Sequence, residues 1–83
     1  MAIFSGQVVD RFTQESISGV VIQSSLFLAN TDVFGNFSID ITRDGGLVNI
    51  SFSKEGYEDF ETTIDLSRDF DIIIKLKPIF RLL

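Results

Sequence analysis

Cysteine, histidine and tryptophan are absent from this chain of 83 residues, and proline and tyrosine occur once each. Without cysteine there is no disulfide framework and no thiolate zinc site. Without histidine there is no imidazole ligand and no His-dependent nucleophile or base. Most hydrolase chemistries are removed by these two absences. Ordering a chain costs on the order of 1.5 kcal/mol per residue, so with no covalent or metal staple the apolar core has to offset nearly all of it. Positive charge is also scarce: 7 Lys and Arg stand against 12 Asp and Glu, for a net charge of −5. Such a field repels phosphate backbones, and the basic residues are scattered, so nucleic acid is not an expected partner. No apolar run approaches the roughly 20 residues of a spanning helix, and Gln7, Asp10 and Arg11 interrupt the place of a signal-peptide core. A soluble chain with no membrane span and no export signal is expected.

What is present is phenylalanine. Nine Phe within a 45% hydrophobic composition suit the filling of an interior. Trp and Tyr, the better rings for stacking sugars, are nearly missing, which weighs against a carbohydrate site. The length allows one domain, residues 1–83, because a second core needs roughly 50 residues of its own.

The dominant period is two, the repeat of a strand with one buried face, and it recurs six times between turn signals. A first strand is expected over Ile3 to Asp10 and a second over Val20 to Leu28, the latter apolar on both faces. Thr31 to Asn36 reads as a hairpin turn: Asp32 is placed to hydrogen-bond amides two residues on, and Gly35 supplies a positive-φ position. Phe37, Ile39 and Ile41 then alternate with polar residues, as do Val48, Ile50 and Phe52. Lys54-Glu55-Gly56-Tyr57 reverses the chain before Phe60, Thr62, Ile64 and Leu66. The last strand turns Phe70, Ile72, Ile74 and Leu76 inward and Asp71, Ile73 and Lys75 outward, and Pro78, which has no amide proton, ends regular pairing. Short strands at this spacing predict an all-β fold, a small Greek-key-like two-sheet sandwich of six or seven strands.

In order and spacing these elements resemble the carboxypeptidase regulatory-like domain, a transthyretin-like β-sandwich. Gly6-x-Val8-x-Asp10 is similar to the family's first strand, and Thr13-x-Glu15-x-Ile17-x-Gly19-Val20-x-Ile22 to its first loop and second strand. Thr31-Asp32-x-x-Gly35-x-Phe37 and Ser53-x-x-Gly56-Tyr57 resemble its two most recognisable signatures, and Leu76 its hydrophobic close. Ser16 departs from the pattern, since the family often has Pro there. The resemblance implies accessory work: such domains follow the catalytic domain of some carboxypeptidases and precede the plug of TonB-dependent outer-membrane transporters in Bacteroidetes-like bacteria. It also implies a cell-envelope or extracellular setting. In the family the Gly56-Tyr57 pair is a turn element. Related adhesin domains form a Lys–Asn isopeptide bond, but the first strand here has no Lys.

Candidate sites are few. Asp32 and Asn36, and separately Asp65, Asp69 and Asp71, are the oxygen-bearing residues a calcium ion would use, although neither group has the dense acidic loop of a calcium site. Turn capping and a solvated loop are the preferred readings. Asp40, Asp44, Glu58 and Glu61 are the carboxylates available for acid–base work, and strand positions facing solvent explain them. No cofactor and no enzymatic activity are expected. The tail from Pro78 carries Ile79, Phe80, Leu82 and Leu83 where a frayed polar end is the norm, which marks either an interaction segment or a seventh short strand folded back on its own sandwich. Phe27 and Ile73 are expected to add outward apolar surface. The expected function is a noncatalytic accessory, interaction or spacer domain of a larger bacterial cell-envelope or phage-type assembly, docking a neighbouring domain or a second copy of itself. The alternative is a ligand-binding module for glycan, peptide or calcium that uses the end loops.

Overall fold

The cleanest alternation in the chain, Phe37, Ile39 and Ile41 against Ser38 and Asp40, becomes a strand whose residues are alternately buried and exposed throughout. The computed structural model describes residues 2–41 and 46–79. Among them are seven strands: β1 (Ala2–Asp10), β2 (Val21–Gln23), β3 (Leu28–Asn30), β4 (Asn36–Ile41), β5 (Leu47–Ser53), β6 (Phe60–Asp65) and β7 (Phe70–Leu76). They form two sheets, ordered β4-β1-β7 and β3-β2-β5-β6. All neighbours are antiparallel except β1 and β7, which run parallel. The protein is therefore the two-sheet β-sandwich that its period-two pattern predicts.

The sheets close on an interior of aliphatic and phenyl groups. Phe4, Val8, Val20, Ile22, Ile50, Phe52, Leu66 and Leu76 are fully buried. The rings form a tilted series that runs from the interior out to exposed Phe60: Phe4 to Phe37 at 5.1 Å, Phe37 to Phe52 at 6.1 Å and Phe52 to Phe60 at 6.1 Å between centroids. These separations fall in the range where aromatic pairs attract beyond their area burial. The predominance of Phe thus has its expected use.

Two expectations are corrected. Val20 to Leu28 is not one strand: the chain reverses between β2 and β3, with Ser24 N donating to Phe27 O at 3.0 Å and Leu26 N to Ser24 Oγ at 3.0 Å. A serine hydroxyl beside the backbone offers this local alternative to a continuing ladder. The reversal turns Phe27 inward, half-buried against the core with its ring 6.2 Å from that of Phe4, so Phe27 does not supply outward surface. Ile73 does. The second correction concerns Thr31 to Asn36, which closes no hairpin. It carries the chain from β3 in one sheet to β4 in the other. Buried Thr31 fixes this crossing: its hydroxyl donates to Ile17 O at 2.8 Å and accepts from Val20 N at 2.9 Å.

Gly6 sits in the middle of β1, where a side chain would ordinarily pack. A Cβ there would collide with the Ile72 carbonyl oxygen of β7 and come within 3.0 Å of the Phe37 ring. The bare backbone lets β7 and Phe37 approach together, so Gly6→Ala should destabilise the sandwich by about 1–3 kcal/mol through overpacking. Urea unfolding of the variant measures this, and an unchanged midpoint would refute the steric account.

Candidate functional site

Asp10 ends β1 at one end of the sandwich and, though ionisable, is buried. Its Oδ1 accepts from Phe12 N at 2.8 Å and Thr13 N at 3.0 Å, which caps the turn leaving the strand. Its Oδ2 accepts from the Tyr57 hydroxyl at 2.9 Å. The resulting contact joins the three-stranded sheet to the β5–β6 connection. The amides of Thr13 and Phe12, aided by the Tyr57 hydroxyl and opposed by burial, hold the Asp10 carboxyl below its ordinary value. Burial, then the hydrogen bond to Asp10 and the Asp10 charge, push the Tyr57 phenol up. The hydroxyl of this turn residue thus reaches a carboxylate of the facing sheet.

Tyr57 is delivered by a turn in which its amide donates to Lys54 O at 3.0 Å and Gly56 takes φ +90°. The segment after β7 returns along this turn. Glu58 N donates to Lys77 O at 2.8 Å and Ile79 N to Gly56 O at 2.9 Å, with Tyr57 opposite Pro78. Pro78 falls between the two hydrogen bonds, where no donor is required of it. Beside this bridge lies an open groove of about 520 Å³ lined by Gly19, Val21, Ser53, Lys54, Tyr57, Asp59 and Ile79 among others. Ile79, the first residue of the expected interaction tail, is 50% exposed there. Phe80, Leu82 and Leu83 lie outside the described residues, as does Asp44.

The turn between β3 and β4 is braced by hydrogen bonds and carries apolar side chains. Asp32 Oδ1 accepts from Phe34 N at 2.8 Å and Asn36 N at 2.9 Å, and Gly35, at φ +75°, donates to Asp32 O at 3.0 Å. Val8 N donates to Gly35 O at 2.8 Å and the Gln7 side-chain Nε2 to Phe34 O at 3.1 Å, which ties the turn to β1. On this frame Val33 is 78% and Phe34 67% exposed. Sequence reasoning picked out Asp32, Gly35 and the ring of Phe37, but not the two side chains that the turn displays.

The calcium candidates are distributed. Asp32 spends one carboxylate oxygen on the two amides above. Asp69 Oδ1 accepts from Ile3 N at 2.8 Å, Asp71 Oδ1 receives a long 3.4 Å bond from the Ser5 hydroxyl, and Asp65 Oδ1 accepts from Ser67 N at 3.0 Å. The Ser67 hydroxyl and amide hold Asp65 below its ordinary value. Asn36 stays beside Asp32 in the turn and also shares a shallow groove of about 370 Å³ over the three-stranded sheet with Asp71, Ser5, Gln7 and Ile73. Among the described residues no group of three or more carboxylates is placed to hold a metal ion. Asp40 and Glu61 are exposed strand residues, and Glu58 forms a surface ion pair with Lys77 at 3.7 Å.

No family model and no curated protein sequence matches the chain. Solved structures do resemble it in fold. A 3-chlorocatechol 1,2-dioxygenase from Rhodococcus opacus 1CP superposes with a TM-score of 0.73 at 14% identity over 94% of this chain. A candidate carbohydrate-binding protein from Bacteroides uniformis superposes with a TM-score of 0.68 at 15% identity over 93%. The match covers 60% of the first protein and 41% of the second, so both are longer chains that contain this sandwich as a part. Identity this low speaks to fold alone.

The Asp10–Tyr57 bond sets a pH window. Asp10 is lowered in the fold, so its contribution to stability is present above the ordinary 3.8 and is lost as pH falls through the folded value. Tyr57 is raised, so its contribution is present below the ordinary 10.0 and is lost as pH rises through the folded value. Because Tyr57 is the sole tyrosine, the ultraviolet tyrosinate band titrates it alone. Its midpoint should lie above 10.0 in the native protein and fall back in Asp10→Asn. A native midpoint at or below the ordinary value would contradict the hydrogen bond.

Proposed function

We propose that this chain is a noncatalytic interaction domain of the carboxypeptidase regulatory-like kind, used by a larger protein or cell-envelope assembly to hold a neighbour. The observation that carries this reading is the contrast at one end of the sandwich. The turn from Thr31 to Asn36 is braced by its own hydrogen bonds and by β1, yet it holds Val33 and Phe34 out to solvent. A large apolar side chain on a rigid frame is the form of an interface anchor, because little conformational entropy remains to be lost on docking. Ile79 adds apolar surface on the segment that pairs with the Gly56–Glu58 turn. The ordered motifs from Gly6 to Leu76 support the family assignment.

A second reading, a ligand-binding module for glycan or peptide, is favoured by the groove beside Tyr57, where Ser53, Lys54 and Asp59 offer hydrogen-bonding groups next to Val21 and Ile79. The fold likeness to the candidate carbohydrate-binding protein from Bacteroides uniformis agrees with it.

Photocrosslinking separates the readings. With benzoylphenylalanine in place of Phe34, expressed in the cells that make the protein, one defined crosslinked neighbour is expected, absent when the probe replaces Asp40. Removal of residues 79–83 should reduce that crosslink while leaving the sandwich folded. Equal background at both probe positions would overturn the interaction reading. Amide shift changes confined to Ser53–Tyr57 on titration with soluble oligosaccharides would select the second.

A further inference from the structure

β7 is the open edge of the three-stranded sheet: among the described residues it pairs with β1 on one side only. Two hydrogen bonds tell which backbone groups it leaves open. Arg11 N donates to Leu76 O at 2.9 Å, so Leu76 faces β1, whereas Glu58 N donates to Lys77 O at 2.8 Å on the other side. Successive residues of a strand direct their N–H and C=O groups to opposite sides. Asp71, Ile73 and Lys75 therefore present theirs to the open edge. The side chains of the same three residues stand on the outer face, with Ile73 63% exposed. Lys75 has no ion-pair partner among the described residues, and Asp71 has only the long bond from Ser5.

Acid, apolar, base in this order is complementary to itself when reversed. We propose that β7 pairs antiparallel with β7 of a second copy about a two-fold axis at Ile73, which joins the two three-stranded sheets into one. In that register Asp71 lies opposite Lys75 of the second copy, twice over by symmetry, and Ile73 lies opposite Ile73. On the inner face Ile72, half-buried at the edge, meets Ile74. Opposite charges and apolar pairs directly across a ladder stabilise it, and like charges oppose it. Charge order also selects this edge over β6, an edge of the other sheet. In β6, Glu61 and Asp65 flank Thr63, so reversed self-pairing would set acid against acid. The interface is isologous, with every contact made twice.

This inference rests on reading the chain as an interaction domain and names a second copy as one partner. The test is the solution mass of the full chain by sedimentation equilibrium. At about 0.15 M salt a screening length of about 8 Å damps the repulsion between two net −5 chains. A concentration-dependent dimer is expected. Lys75→Asp alone, or Asp71→Lys alone, sets like charges opposite each other and should weaken dimerisation about tenfold or more. The double variant Asp71→Lys/Lys75→Asp reverses both pairs and should restore it. Both positions are exposed, and circular dichroism checks that each variant is folded. A wild type that stays monomeric to about 1 mM, or a dimer indifferent to all three variants, would overturn the inference. If the Phe34 crosslink to a neighbour persists in that case, the interaction reading stands without it.

Discussion

The structure depends on β1. It is the one strand of its sheet with a partner on each side, β4 antiparallel and β7 parallel. Its pairing with β7 joins the two ends of the described chain, Phe4 opposite Phe70 through Asp10 opposite Leu76. Closing so long a loop costs entropy before any contact repays it, and in a chain without cysteine no disulfide shares that cost. The repayment comes from burying Phe4 and Val8 completely, and from Gly6, whose missing side chain admits Phe37 and the Ile72 backbone. The final residues of β1 then organise one end of the sandwich. Val8 binds Gly35 and Ile17 through its backbone, and Asp10 holds both its own turn and Tyr57.

How much of this is legible in the sequence follows from where each signal resides. Alternation is local, so β4, β5 and β7 are visible, as is the outward position of Ile73. The reversal at Ser24–Phe27 is hidden because its flanks, Val20 to Gln23 and Leu26 to Leu28, are as apolar as a continuous buried strand. Only the Ser24 hydroxyl marks the break, and serine is common in strands with a wet face. The change of sheet at Thr31 is hidden for another reason. Asp32 and Gly35 specify a turn but not what it connects. That information belongs to Thr31, whose hydroxyl is satisfied by Ile17 and Val20. Asp10 and Tyr57 are 47 positions apart, beyond any periodic signal.

The short motifs behind the family resemblance acquire physical reasons in this light. Gly6 is a close approach of strands, Thr31 clamps the first loop, and Asp32 and Gly35 build a turn seated on β1. Gly56 aims Tyr57 at Asp10. Each joins elements distant in sequence, as expected of a small sandwich whose strands contribute too little individually. A motif of this kind reports the frame and is silent on what the frame displays. Val33 and Phe34, the x positions of Thr31-Asp32-x-x-Gly35, are for that reason the residues on which a particular partner would be read.

The edges carry the same distinction between frame and display. A sandwich of open sheets leaves strands with unsatisfied backbone groups, and charge is the ordinary protection against indiscriminate pairing. β4 approaches β3 of the facing sheet at one margin, so exposure concentrates on β6 and β7. Both carry charges on their outward faces, yet the arrangement differs. Acid at both ends of β6 repels a reversed copy of itself, whereas acid at one end of β7 and base at the other repel a parallel neighbour and accept a reversed one. The charges that protect β7 from most strands thus leave one register open, and specificity at this edge is a matter of order along the strand rather than of net charge.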